Sequence, residues 1–429
     1  MVAVFGLNEF STRVPSAIYG VLGVMAIFLL AKILFGVEIA LLSSFFLAIS
    51  PWHVHISRIS LEGFSPYVFL ATLGSYFFLK SKENIRFLPL SFLTFAIGLY
   101  SYFAARIFIP MFLLGMIFLY RKFLLTKVKI MLISFIVFVI VSLPLGLHMI
   151  SGSGLVRWND VSNFKGKELS LGIKKSLISY FTYLSPQFLF KDGDSGYPGQ
   201  FIKRHSIFGI GELYWIQLPF ILLAFLILAK RREGLFTWWV LIYPIAGAVT
   251  NAATPQATRS VAGVIPFQVL TAIGIVWCLN YLSRAKRKIK KRILLFFFTA
   301  VFVIAVAMSF NSFFQAFLKY PMVSSDYWGW QYGPREILKY FKQAEVYYDD
   351  LFMSGEYNST DSLLRFYLFS ECPKCKVGGF ERVNAEKKQL FAVSPDYLAS
   401  SEFSQKFKTN KIIYYPNSTQ AFIIGELTR

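Results

Sequence analysis

Long apolar runs separated by short polar stretches dominate the first three quarters of the chain: 14–35, 37–51, 64–80, 87–101, 104–120, 128–148, 212–229, 235–250, 261–282 and 293–310. A helix crossing about 30 Å of hydrocarbon needs about 20 apolar residues. The pattern therefore predicts about ten transmembrane helices, the shorter runs being tilted, re-entrant or merged with a neighbour. The first span is expected to open at Pro15, with no cleavable signal peptide ahead of it. After residue 312 the pattern changes. Between 334 and 429, short apolar runs (Val346–Tyr348, Phe391–Val393, Lys411–Tyr415) alternate with helical stretches (Pro334–Phe341, Ser362–Phe369). That alternation predicts a small α/β domain, with Asn417-Ser418-Thr419 as a hairpin turn. The expected architecture is an all-α polytopic membrane domain over 1–312, which includes a long loop at 149–211, followed by a soluble α/β domain over 313–429.

Charge fixes the expected orientation. The chain is 55% hydrophobic, which leaves a soluble protein of 429 residues too little polar coat. Its net charge of +21 would suit a nucleic-acid partner if it were collected on one surface. Instead it is threaded between apolar runs: from residue 313 onward 14 Lys+Arg face 13 Asp+Glu, so a surplus of 20 lies in the hydrophobic part. No nucleic-acid partner is expected. Four connections are strongly basic: Lys80–Arg86, Arg121–Lys129, Lys230–Glu233 and Ser283–Arg292. They fall at every second connection, so the positive-inside rule puts all four in the cytoplasm. Both termini and the C-terminal domain are then expected outside the cell membrane, with the lipid bilayer as the chain's first partner.

The outward-facing connections hold the candidate chemistry. In SPWHVHISRISLEG (50–63), His53, His55, Arg58 and Glu62 lie close together beyond a helix-ending Pro51. Arg58 and Glu62 are four apart, so they would share a helix face and could form a structural ion pair. Alternatively, Arg58 could grip an anionic headgroup, because a guanidinium offers phosphate a forked donor set. Tyr102 and Arg106 stand at a helix end, where Arg106 could snorkel to the interface or hold phosphate or sugar. The 149–211 loop contributes Arg204 and His205, while its Asp192-Gly193-Asp194 resembles a calcium-loop opening without the remainder of that pattern and reads as a solvated turn. Arg259 in TPQATRS (254–260) is a further phosphate candidate. No third ligand joins His53 and His55, so a metal site is not expected. Cys278 reads as a small core residue, and Cys372 and Cys375 as a disulfide or two free thiols, since zinc would need two more ligands.

The stretches GLNEFSTRVPSAIYGVLGV (6–24), SPWHVHISRISLEG (50–63), LYSYFAARIFIP (99–110), YLSPQFLFKDGDSG…RHSIFGIGELYWIQLPF (183–220) and ATRSVAGVIPF (257–267) resemble, in this order, the bacterial relatives of protein O-mannosyltransferases. These are the glycosyltransferase family 39-like members of the GT-C superfamily. The resemblance covers 6–330 and is loose in the C-terminal domain. It implies a GT-C-type helical bundle and an integral membrane glycosyltransferase. Such an enzyme moves a sugar from a polyprenyl-phosphate carrier to a protein, lipid or glycan acceptor on the outer face. It implies cationic contacts for the leaving phosphate and a carboxylate to take the acceptor proton. The family carries that carboxylate as an Asp just after its first helix. The chain opens at MVAVFGLNEF, which reads as the tail of that loop, so Glu9 is the only acidic residue ahead of the first span. The expected phosphate contacts are Arg58, Arg106, Arg204 and Arg259; His53, His55, Glu62, His205 and Tyr102 are expected around headgroup or sugar. A non-catalytic scaffold of the same fold is the alternative. A transporter or flippase would favour ionisable residues at the bilayer midplane, whereas here the polar residues crowd one face.

Overall fold

The computed structural model describes every residue except 60–62, 153–154, 167, 198–199, 201–203, 251–253, 285–287, 325, 327–329, 358, 369–371 and 429. The chain divides into two compact units, one of Arg13–Gln200 with His205–Phe317 and one of Leu318–Arg429 with Met1–Thr12 and Phe201–Arg204. The boundary expected at 312/313 therefore falls inside a single long helix, Lys288–Ser324.

The larger unit is helical, and each of the ten apolar runs has a helix in it. Among the described residues, four helices are long and apolar enough to cross a bilayer alone: Glu9–Phe35, Val128–Ile150, Val261–Leu282 and Arg292–Lys319. The others are shorter, including Phe64–Lys80, Phe87–Gly98, Ala105–Leu119 and Leu218–Arg231. The run at 235–250 is broken into Leu235–Ile242 and Ile245–Ala248 around Pro244, whose ring cannot continue the hydrogen-bond ladder. Burial sorts these helices. Val261–Leu282 has 83% of its apolar window buried and is the axis of the bundle, whereas Arg292–Lys319 has 6% and Val128–Ile150 11%. Outward rows of exposed Leu, Ile, Val and Phe on the latter two make a lipid-facing surface.

Inside, aromatic rings fill the space between the short helices. Phe108 and Phe112, one turn apart, stack at 5.2 Å, and Phe112 meets Trp239 at 4.5 Å. Small residues set the helix spacing: at Gly274 an added Cβ would lie 2.7 Å from the Cα of Phe220, so Val264–Leu282 and Leu218–Arg231 touch backbone to backbone. One break matters for the site. Val37–Ile49 and Pro51–Ile59 meet at 54°. Pro51 disfavours a helical residue before it, and Ser50 is extended at ψ 127°. The bend redirects the short helix PWHVHISRI, in which Trp52, His53 and His55 are buried.

The smaller unit is a five-stranded sheet, β1 Asp350–Met353, β2 Cys375–Val377, β3 Gln389–Val393, β4 Phe407–Tyr414 and β5 Gln420–Leu427, in the order β2-β1-β3-β5-β4. β1 runs parallel to β2 and β3, and β5 is antiparallel to β3 and β4. β1 and β3 are buried along their whole length, with apolar side chains on both faces. Leu351, Met353, Leu390 and Ala392 pack with Ile337, Leu338 and Phe341 of the helix Pro334–Ala344. Phe352, Phe391 and Val393 face the opposite way onto Phe380 and Tyr397. The expected hairpin closes at Ser418, with φ +67°. Val346–Tyr348 is not part of a strand; it lies outside the sheet, in and just after a turn of 3-10 helix, with Val346 and Tyr347 exposed. Cys372 and Cys375 form a disulfide, and Cys278 is a half-buried free thiol.

Gly274→Ala should force Val264–Leu282 away from Phe220 and lower the apparent melting temperature of the detergent-solubilised protein by several degrees, in line with an overpacking cost of about 1–3 kcal/mol. An unchanged melt would show that the two helices can part without loss.

Candidate functional site

Within the larger unit, the polar residues singled out in the sequence gather in three places. The first is a cavity of about 400 Å³ lined by Tyr102, Arg106, Thr250 and Arg259 together with an apolar wall that includes Ile107, Met149, Leu155, Trp158 and Val249. Arg106 lies in the first turn of Ala105–Leu119, where side chains lean towards the helix start. Its guanidinium sits 4.1 Å from the ring centroid of Phe103, a cation–π contact that leaves the donors along the guanidinium edge available. Tyr102 packs edge-on against Phe64 at 4.6 Å and forms part of the wall. Arg259 donates to the hydroxyl of Thr250.

Arg259 is carried by a turn whose backbone is gripped from several elements. Gln200 Nε2 donates to Pro255 O at 2.9 Å, and Gln256 N–H donates to the Tyr183 hydroxyl at 3.0 Å. Ala257 is held from both sides: its N–H donates to Asp194 Oδ2 at 2.8 Å and its carbonyl accepts from Trp52 Nε1 at 3.0 Å.

The second place is a separate cavity of about 490 Å³ lined by Arg13, His53, Ser57 and Arg58 among small apolar residues. It lies between the helix Glu9–Phe35 and the bent helix Pro51–Ile59. Gly20 and Gly23 allow that approach, since a Cβ on Gly20 would lie 2.6 Å from Ser57 Oγ and one on Gly23 3.4 Å from His53 Nε2. The Arg58 guanidinium stands 4.6 Å from the centroid of Phe317. Arg58 thus does not share the cavity of Arg106 and Arg259.

The third place was not legible as a site. Asp194 is wholly buried, which corrects the reading of Asp192-Gly193-Asp194 as a solvated turn; Asp192 alone is partly exposed. The Ser206 hydroxyl donates to Asp194 Oδ1 at 2.5 Å and accepts the Asp194 and Ser195 amides at 2.9 and 3.1 Å. His205 Nδ1 is 3.7 Å from Asp194 Oδ2. Glu212 is also buried, and among the described residues its Oε1 meets no hydrogen-bond donor. Gly193 makes this packing possible: at φ +58° an added Cβ would stand 2.7 Å from Ser206 Oγ and 3.0 Å from Glu212 Oε1. The signals in the sequence were slight: small residues around Asp194, and an acid inside the apolar stretch GIGELYW.

The remaining candidates lie elsewhere. His55 is buried in Pro51–Ile59 and lines neither cavity. Arg204 is half-buried and is grouped with the smaller unit. Glu62 lies outside the described residues. Glu9 belongs to the smaller unit, where its oxygens meet Arg335 Nη1 at 3.2 Å and the Tyr367 hydroxyl at 2.9 Å, a structural use of the carboxylate. Among the described residues no group of three or more His, Cys, Asp or Glu is placed to hold a metal ion.

Residues 1–146 match the family model described as dolichyl-phosphate-mannose-protein mannosyltransferase. The chain's fold is similar to that of ArnT from Cupriavidus metallidurans in the apo state, with a TM-score of 0.55 at 11% identity over 99% of this chain and 85% of that one. The structure of the same protein bound to undecaprenyl phosphate matches with a TM-score of 0.53 at 11% identity, over 99% and 85%. The archaeal oligosaccharyltransferase AglB from Archaeoglobus fulgidus, in complex with an inhibitory peptide and a dolichol-phosphate, matches with a TM-score of 0.50 at 15% identity. That match covers 96% of this chain and 63% of AglB. No curated protein sequence is similar enough to match the chain. The helical bundle with its small C-terminal sheet domain is the GT-C membrane fold, as the sequence motifs implied.

The buried acids make a stability prediction. Burial raises Asp194 to about 7 against the pull of its hydrogen bonds, and burial together with the Asp194 charge raises Glu212 well above the ordinary carboxylate range. Both lie outside the spanning helices. The fold therefore binds protons that the unfolded chain releases at about pH 4. Their contribution is full below that pH and is lost as pH rises through 7 and beyond. Thermal melts should fall from pH 5 to pH 8, and Glu212→Gln should flatten part of that slope. Identical slopes for the two proteins would show that Glu212 does not titrate with folding.

Proposed function

We propose that this chain is a membrane glycosyltransferase that takes its sugar from a polyprenyl-phosphate carrier and transfers it to an acceptor hydroxyl on the outer face of the cell membrane. The observation that carries this reading is the cavity whose lining joins two arginines to a largely apolar wall. A polyprenyl phosphate has that division of chemistry: an isoprenoid that gains by leaving water and a phosphate that needs charge-assisted donors. The structures of ArnT with undecaprenyl phosphate and of AglB with a dolichol-phosphate support the same class of ligand.

In the reaction, the bond from the anomeric carbon to the phosphate oxygen breaks and a bond to the acceptor oxygen forms. Arg106 and Arg259 neutralise the charge that collects on the departing phosphate, in a site where apolar walls strengthen the attraction. Among the described residues neither cavity is lined by a carboxylate, so the acceptor proton leaves to a base outside these linings. The second cavity, with Arg13, His53 and Arg58, has the character of a further anion-binding groove beside the lipid. The alternating basic connections support an orientation with Lys80–Arg86, Arg121–Lys129, Lys230–Glu233 and Ser283–Arg292 in the cytoplasm and both termini outside.

Two experiments test this reading. Arg259→Ala and Arg106→Ala should each weaken the binding of undecaprenyl phosphate to the purified protein by about 10- to 100-fold, the loss of a hydrogen bond to a charged group. Wild-type affinity in both variants would remove the cavity from the donor site. Reporter fusions after Lys122, Arg232 and Lys290 should read as cytoplasmic, and those after Asp194 and Arg429 as external; a cytoplasmic C-terminus would overturn the orientation.

A further inference from the structure

The 254–260 turn presents Arg259 to the cavity, and besides its internal hydrogen bonds it is held by groups from distant parts of the chain. We infer that Asp194 is a positioning residue for Arg259: through the Ala257 amide its buried carboxylate clamps the turn so that the guanidinium reaches the phosphate end of the cavity. The inference rests on reading that cavity as the donor-phosphate site.

Several observations converge. Asp194 is fully buried, and one oxygen accepts the Ala257 N–H while the other accepts the Ser206 hydroxyl, so the carboxylate plane is fixed from both ends. Arg259 lies two residues beyond Ala257 in the same tight turn, its own amide bonded to Gln256 O at 3.1 Å. No ion pair joins Asp194 to Arg259 among the described contacts. The link therefore runs through backbone, and losing it frees the turn without stripping the guanidinium of a counter-charge. Tyr183 lies within electrostatic reach of both charges and accepts the Gln256 amide between them, which places acid, turn and cation in one cluster. Burying a carboxylate costs several kcal/mol unless it is well bonded.

The test is a double-mutant cycle on the purified full chain with undecaprenyl phosphate as probe. Asp194→Ala should weaken binding about tenfold or more, but should add nothing in the Arg259→Ala background. Multiplying losses would mean that Asp194 acts independently of Arg259 and would overturn the inference. Should Asp194→Ala fail to fold, Ser206→Ala replaces it in the same cycle. It removes the hydroxyl that orients the carboxylate and should give a smaller loss that also vanishes without Arg259; no loss overturns the inference. Amide hydrogen exchange without ligand supplies the independent readout. The peptide covering 254–260 should exchange faster in the Asp194 or Ser206 variant, with the Pro334–Ala344 helix unchanged. Unaltered exchange there overturns the clamp whatever the lipid does. A wild-type protein that fails to bind undecaprenyl phosphate would instead sink the donor-site reading and leave the exchange result standing.

Discussion

The peptide groups of Ala257 sit in a turn with no helix or sheet partner, under a lid of aromatic side chains where water does not reach them. A buried amide left unbonded costs about 1–3 kcal/mol. Here both of its groups are claimed by side chains, the N–H by Asp194 and the carbonyl by the indole of Trp52. Those two residues come from distant parts of the chain, one from the loop after the helix Leu169–Tyr183 and one from the bent helix Pro51–Ile59. The turn thus ties three segments together, and the cation that it carries inherits its position from them. The Ser206 hydroxyl and the Ala257 amide supply the hydrogen bonds that make an acid tolerable at that depth, and Gly193 leaves room for them.

A lipid-phosphate site has to reconcile opposite demands. Its walls must be apolar enough to accept an isoprenoid, yet a guanidinium stripped of water is costly unless something replaces its shell. The two arginines meet this cost differently. Arg106 stands over the ring of Phe103, which is favourable electrostatically without using up hydrogen-bond donors. Arg259 uses one donor on Thr250 and keeps the rest for the cavity. Arg58, on Phe317 in the second cavity, repeats the aromatic solution of Arg106. The fold therefore brings arginines into two cavities whose linings are otherwise largely apolar.

What the sequence by itself determined is the part governed by local pattern. The lengths of the apolar runs and the basic connections mark the membrane helices, because no other structure satisfies a backbone in hydrocarbon without water. Strand β3 was marked by the apolar run Phe391–Val393 and the hairpin by Asn417-Ser418-Thr419, whereas β1 begins at Asp350, just past the run Val346–Tyr348. Arg106, Arg259 and Tyr102, candidates picked out by residue type and position, line one cavity. What only the tertiary structure decided is which of these residues meet and how deep they lie. Arg58 and Arg259 look equivalent in the chain, but the 54° bend at Pro51 and the packing of Gly20 and Gly23 send Arg58 to a different cavity. Asp194 reads as a solvated turn residue beside Asp192, since burial is a property of the covering segments and not of the turn; its cover comes from Ser206, Glu212 and Ala257, up to 63 positions away. Periodicity carries information about neighbours three or four residues apart. A carboxylate that holds a turn from another part of the fold leaves no such trace, so its role emerges only when the chain is closed.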